Sequence, residues 1–171
     1  FPRNDLTIAL GSRDVAPLNI VTGYASIANG GFKVDPWFIK EIRNLRGEPL
    51  YSADPKQVCA NCSDEDIPTK APRVLDPRVA FILGSMLRSV IEEGSGVRVN
   101  RELNRTDLKG KTGTTNGPQE LWFSGFNENI ATTVFVGLDQ PEPLGEREQG
   151  ATVAVPIWID YMRKALEDQP I

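Results

Sequence analysis

The sequence predicts an α+β fold, an antiparallel sheet flanked by helices, with the sheet incomplete in this chain. Three observations point there. Apolar residues recur at helical spacing after proline-marked starts. Three short strand segments, 108–114, 121–126 and 130–138, follow one another with only brief connections, which favours antiparallel pairing over crossovers. The order helix, hairpin, helix, three strands, helix groups the strands instead of alternating them with helices, unlike a doubly wound parallel sheet. Three strands in the last third do not complete a sheet, so further strands are expected from a segment outside the chain.

The first helix is expected to start near Asp14 as cap, with Pro17 in its first turn. Leu18, Val21, Ala25 and Ala28 lie on one face, and Gly30-Gly31 stops it. Residues Trp37 to Arg46 read as a strand, Gly47-Glu48 as a turn and Leu50-Tyr51 as the return, giving a small hairpin in which Trp37 packs. Residues 52–73, rich in Pro, Asp and Asn, read as a long surface loop, and its acidic cluster Asp64-Glu65-Asp66 as solvated. Asp76-Pro77 repeats the cap-plus-proline start. The stripe Val79, Ile82, Leu83, Met86 and Val90 carries a helix to Glu93, where Gly94 ends it.

After the Gly94-Ser95-Gly96 step comes a polar connection and a strand from about Leu108 to Thr114. Leu121 to Phe126 and Ile130 to Leu138 are strands joined by the turn Asn127-Glu128-Asn129. A loop over 139–150, with the solvated run Glu146-Arg147-Glu148, precedes a last helix from about Pro156. Ile157, Trp158, Tyr161, Met162 and Ala165 are expected on its inner side. Trp122, Phe123 and Trp158 are expected core aromatics.

Composition narrows the chemistry. The 171 residues contain 19 Lys plus Arg, 23 Asp plus Glu and no histidine. No Ser-His-Asp or Cys-His relay, histidine-bearing zinc site or imidazole switch is available. If the protein is a hydrolase or transferase, some other side chain must move the protons. The net charge of −4 argues against a nucleic-acid partner. No apolar run reaches the ~18 residues that span a bilayer. Phe1 starts no charged-then-apolar signal pattern, and the opening Phe1-Pro2-Arg3 reads as a cut piece of something longer. The two cysteines form Cys59-Ala60-Asn61-Cys62, among Pro55, Pro68 and Pro72. That setting favours a loop disulfide, in an oxidising compartment, over a redox dithiol at a helix start. One such pair is a weak zinc signal, so neither a metal nor a cofactor is called for.

The stretch Lys109-Gly110-Lys111-Thr112-Gly113-Thr114-Thr115 carries the chemistry. It is not a phosphate-binding P-loop, because the required glycine five residues before Gly110 is Arg105 and strand signals lie on both sides. The alternative is a Lys-Thr-Gly strand at the edge of a serine acyl-transfer site. There the Lys111 cation holds charge beside a nucleophile and attracts an anionic substrate. The Thr112 hydroxyl can hydrogen-bond a substrate carboxylate. Gly113, lacking Cβ, lets substrate lie along the strand. The Thr114 backbone N–H can face a developing oxyanion, and loss of one such donor costs about 3 kcal/mol. Lys111 and Thr114 are thus the catalytic candidates, and Thr112, Gly113, Thr114 and Thr115 the substrate-binding ones.

The surrounding residues strengthen that reading. Ala9-Leu10-Gly11-Ser12 with Val15-Ala16-Pro17-Leu18, then Ala28-Asn29-Gly30-Gly31, precede Glu92-Glu93-Gly94-Ser95-Gly96 and the Lys109–Thr115 stretch. Trp122-Phe123-Ser124-Gly125-Phe126, Val136-Gly137-Leu138-Asp139 and Pro156-Ile157-Trp158 follow. In that order they resemble, over nearly the whole chain, the transpeptidase domain of class A (bifunctional) penicillin-binding proteins. Ala16 stands where threonine is commoner, and Ser95 replaces the more usual threonine. The resemblance implies the fold shared by serine β-lactamases and penicillin-binding transpeptidases. It also implies a D,D-transpeptidase that acts on peptidoglycan stem peptides, is acylated by β-lactams, and works at the periplasmic face of the bacterial inner membrane through an upstream anchor.

The family's nucleophile lies in Ser-x-x-Lys, and a second motif is Ser-x-Asn. No serine here (12, 26, 52, 63, 85, 89, 95 or 124) begins either. Residues 1–171 are therefore expected to be the C-terminal portion of the domain, with a hairpin and loop insertion at about 37–73 and the N-terminal part of the same protein as partner. Two rival readings are a non-catalytic β-lactam sensor and a serine β-lactamase. The latter needs a carboxylate that positions water, and the 52–73 loop and Gly-Ser-Gly step fit a transpeptidase better.

Overall fold

The computed structural model describes residues 6–59 and 69–171. Cys62, the acidic cluster Asp64–Asp66 and the opening Phe1-Pro2-Arg3 lie outside the described residues. A 3-10 turn at Leu6–Leu10 leads to helix α1, Pro17–Ala28. The cap position falls on Ala16, not Asp14, because Pro17 occupies the first helical turn and fixes the start there. Gly30 and Gly31 end the helix with φ of 82° and 104°. A Cβ on Gly31 would lie 2.4 Å from the Leu75 carbonyl oxygen, and the Gly31 carbonyl accepts from the Val74 and Leu75 N–H groups. The glycine turn is thereby fastened to the chain entering the second helix.

The hairpin is shorter than expected: β1 is Glu41–Arg43 and β2 is Pro49–Ser52, antiparallel with a bulge between Ile42 and Arg43. Trp37 lies outside it and is 46% exposed, so its expected packing in the hairpin is not seen. Within the loop, Gln57 bridges to Lys70 and Phe32 to Arg73, whose guanidinium sits 4.1 Å above the Phe32 ring. Cys59 is disulfide-bonded.

Helix α2, Pro77–Glu92, is capped as expected by the Asp76 carboxylate, which accepts from the Arg78 N–H. Its buried side is Ala80, Gly84 and Ile91, packed on the sheet. The expected apolar stripe is split: Val79, Ile82 and Met86 are exposed alongside Phe81, while Leu83 and Val90 are half-buried beside the packed side. The polar connection contains a seven-residue helix, α3, Val97–Leu103.

Strands β3 (Lys109–Thr114), β4 (Glu120–Phe126) and β5 (Ala131–Gly137) form an antiparallel meander in the order β3-β4-β5. Alternation of side chains divides the sheet into two faces. On one, Phe123 meets Trp158 edge-on at 5.1 Å, over a core of Ile91, Val99, Leu108, Val155, Ile159 and Met162. On the other, Phe126 meets Tyr24 of α1, the Lys109 stem runs beneath Gly84 of α2, and Trp122 stacks on Phe135 at 4.5 Å. The chain is therefore a three-layer sandwich around a three-stranded sheet whose outer edges pair with no strand among the described residues.

The last helix, α4, is Val155–Ala165, entered through a π-helical turn at Gly150–Ala154. Trp158 and Met162 point inward as expected, joined by Ile159, whereas Ile157 and Tyr161 are exposed. The inner face is the helical series Val155, Trp158, Ile159, Met162 and Leu166, so Ile159 takes a core position and Ile157 falls outside it.

Candidate functional site

The candidate site is the outer edge of β3. Its other edge is occupied by β4 in the register Lys111↔Ser124, Thr112↔Phe123, Gly113↔Trp122 and Thr114↔Leu121. Backbone groups alternate along a strand. The Thr115 N–H donates to the Glu120 carbonyl across the ladder, so the N–H groups of Thr114 and Thr112 point away from β4, to the open edge. Two donors that pair with no strand among the described residues suit an extended substrate and an anionic oxygen.

Side chains divide between the faces in the same way. Lys111 and Lys109 lie on the α2 face. The Lys109 ammonium is 5.7 Å from the centroid of the Phe126 ring. Lys111 is exposed, and its Nζ donates to the Thr112 carbonyl at 2.8 Å. Thr112 and Thr114 lie on the α4 face. The Thr112 hydroxyl is 2.7 Å from that of Ser95, and the Thr114 hydroxyl accepts the Gly150 N–H at 3.0 Å. Gly150 is the close-approach position: a Cβ there would stand 2.5 Å from the Gly113 carbonyl oxygen and 2.4 Å from that of Trp122, whereas a Cβ on Gly113 would meet the Trp122 Cβ at 3.1 Å. Glycine at 150 thus allows the π turn to rest directly on the β3–β4 ladder.

The Thr115 hydroxyl has local work. It accepts the N–H groups of Gln119 (3.2 Å) and Glu120 (3.0 Å), closing the turn that brings β4 back. The strand thus gathers Lys111, Thr112, Gly113 and Thr114 at one edge, and Thr115 marks where that edge turns. Cys59 is far along the fold, in the loop joined to Lys70, and belongs to a separate region. Among the described residues there is no cluster of acidic or cysteine side chains able to hold a metal.

Two contributors, Ser95 and Gly150, have no role assigned in the sequence reading. The Gly94-Ser95-Gly96 step lies 17 residues before Thr112. The loop over 139–150, whose last residue is Gly150, has no motif. Only the fold brings both to β3.

A lysine, a threonine hydroxyl and outward backbone donors thus lie together along a strand edge that pairs with no other strand among the described residues. The chain belongs to the penicillin-binding protein transpeptidase domain family, whose pattern matches residues 3–163. It is similar to penicillin-binding protein 1A of Pseudomonas aeruginosa, 42% identical over 207 aligned positions that take in 100% of this chain and 25% of that protein. It is 38% identical to penicillin-binding protein 1A of Neisseria lactamica, across 96% of this chain and 19% of the relative. The crystal structure of penicillin-binding protein 1A from Haemophilus influenzae matches with a TM-score of 0.87 and 34% identity, over 96% of this chain and 28% of that one. The chain thus spans about a quarter or less of the curated relatives it matches.

Proposed function

We propose that these 171 residues form the substrate-recognition part of a serine-type peptidoglycan D,D-transpeptidase in a class A enzyme. In this reading the serine oxygen, carried by the N-terminal part of the same protein, attacks the carbonyl of a D-Ala-D-Ala stem peptide. The tetrahedral oxyanion is held by the outward Thr114 N–H, the terminal D-Ala leaves as an amine, and an acceptor amine then takes the acyl group. Lys111 supplies positive charge beside the nucleophile, and the Thr112 hydroxyl binds the substrate carboxylate. A β-lactam follows the same first step and remains attached.

The observation that carries this reading is the unpaired β3 edge with the Thr112 and Thr114 N–H groups turned outward. The exposed apolar face of α2, Val79, Phe81, Ile82 and Met86, supports a partner that covers it. The remainder of the same transpeptidase domain is that partner. Its upstream anchor and glycosyltransferase domain would put the site at the periplasmic face of the bacterial inner membrane. No helix of the described residues is long and apolar enough to cross a membrane.

The test is covalent labelling by fluorescent penicillin. In the intact protein Lys111→Ala should slow acylation by about 10²-fold or more. The isolated 171 residues should take up no label, since they hold no Ser-x-x-Lys. Labelling of the isolated chain, or an unchanged rate in the variant, would overturn the assignment.

A further inference from the structure

The Ser95–Thr112 pair is a contact between two exposed hydroxyls from different parts of the fold, and its surroundings are more rigid than two surface hydroxyls require. Ser95 sits between two glycines that fold back over the last turn of α2. The Val90 carbonyl accepts both the Gly94 N–H (3.1 Å) and the Gly96 N–H (3.0 Å). A Cβ on Gly94 would lie 2.9 Å from the Val90 oxygen and Cα, and one on Gly96 would lie 3.3 Å from that oxygen. Gly94 is therefore dictated by close approach and Gly96 packs tightly, and the two bonds to the Val90 carbonyl hold the step that carries the serine between them. Immediately before this step Ile91 is buried in the core, and immediately after it Val99 is too. The Ser95 Oγ thus projects from a step anchored on both sides, at 2.7 Å from the Thr112 Oγ1.

A threonine hydroxyl on a strand edge can turn its single proton toward any acceptor within reach. To bind a carboxylate, that proton must point outward. A neighbouring hydroxyl that donates to the threonine oxygen leaves the threonine proton for the incoming anion, and a chain of two aligned hydroxyls strengthens the terminal bond.

We propose that Ser95 is a positioning residue for substrate recognition: its hydroxyl donates to Thr112 Oγ1 and directs the Thr112 proton to the substrate carboxylate. The inference rests on the reading of Thr112 given above. Ser95 touches no substrate itself. It acts on the carboxylate-dependent part of recognition and not on the acyl transfer itself. The hydroxyl is what matters, so threonine at 95 serves equally well.

The experiment uses the intact protein and measures acylation by a fluorescent penicillin with a free carboxylate. The methyl ester of the same penicillin is measured by competition. Concentration dependence separates noncovalent affinity from the acylation step. Ser95→Ala should weaken affinity for the free acid by about three- to tenfold, leave the ester unaffected, and leave the melting temperature within about a degree. Ser95→Thr should restore the wild-type values. Ser95→Ala combined with Thr112→Ala should be no weaker than Thr112→Ala alone. Equal losses for acid and ester with Ser95→Ala, or no loss for either, overturn the inference while Thr112→Ala still discriminates acid from ester. If Thr112→Ala does not discriminate them, the Thr112 reading itself fails and the inference falls with it.

Discussion

Substituting Gly150 with alanine tests whether the π turn holds the recognition strand in place. The added Cβ would stand 2.4 Å from the Trp122 carbonyl oxygen and 2.5 Å from that of Gly113, a cross-strand pair in the β3–β4 ladder. Carbon and carbonyl oxygen normally approach to about 3.3–3.6 Å. The turn must therefore lift by close to 1 Å, or the ladder must bend. Either response stretches the 3.0 Å bond from the Gly150 N–H to the Thr114 hydroxyl. Overpacking of this kind costs about 1–3 kcal/mol, which in a domain of this size lowers the melting temperature by roughly 3–10 °C. Because the disturbance is centred on Gly113 and Thr114, penicillin acylation of the intact protein should slow by about tenfold or more, as misplaced reacting groups generally do. Melting and labelling rate are read on the same preparation. A variant that melts and labels like the wild type would refute the idea that the turn bears on the strand.

Two other substitutions have clear directions. Gly84→Ala is the matched contrast, since its Cβ would meet only the Lys109 side chain, at an ordinary 3.6 Å; in a helix interior it should raise stability by about 0.5–1 kcal/mol in thermal melts. Asp107→Asn should destabilise by about 1–3 kcal/mol near neutral pH, because the carboxylate binds Arg105 at 2.8 Å and Asn127 at 3.1 Å. Burial pushes the Asp107 carboxyl up, but hydrogen bonds from Arg105 and Asn127 and the Arg105 charge outweigh it and hold the group below its ordinary value. Its stabilisation is thus complete above the unfolded value and disappears as pH falls through the native one. Melts of wild type and variant should therefore converge as pH drops below about 4; parallel curves down to about pH 2 would contradict the assignment.

What the sequence made legible depended on the range of the interactions. Strands β3, β4 and β5 and the helix start at Asp76-Pro77 are local matters of turn, cap and alternation, and they stand where the residues put them, whereas the first helix starts later than Asp14, at Pro17. The face of α2 did not follow from local pattern. Three of the stripe's large residues, Val79, Ile82 and Met86, lie on the outer side, while the side packed on the sheet is built around Ala80, Gly84 and Ile91. A stripe of large side chains marks the side to be buried only when every partner is present. Helix α3 is too short for periodicity to reveal it. The inner face of α4 follows the helical spacing of Val155, Trp158, Ile159, Met162 and Leu166, whereas the π turn that enters it rests on strand backbone, a contact that no spacing rule encodes. Within the candidate site, Lys111 to Thr114 were readable as a motif, and their sheet-edge placement needed only the strand order. Ser95 and Gly150 needed the fold.

The meander also has a consequence for how the protein reaches its native state. β3, β4 and β5 are consecutive, and the connections at 115–119 and 127–130 are short. The loops that must close before each ladder forms are therefore small, and their entropic cost is low. Sheets dominated by near-neighbour pairing assemble quickly compared with those that wait for distant strands. Strand β3 therefore acquires its register from the hairpin beside it, and the shape of its outer edge can be in place early. Under the proposed function, assembly of the active centre is then the closing of a preformed edge, and variants that slow the meander would delay activation without altering the finished enzyme.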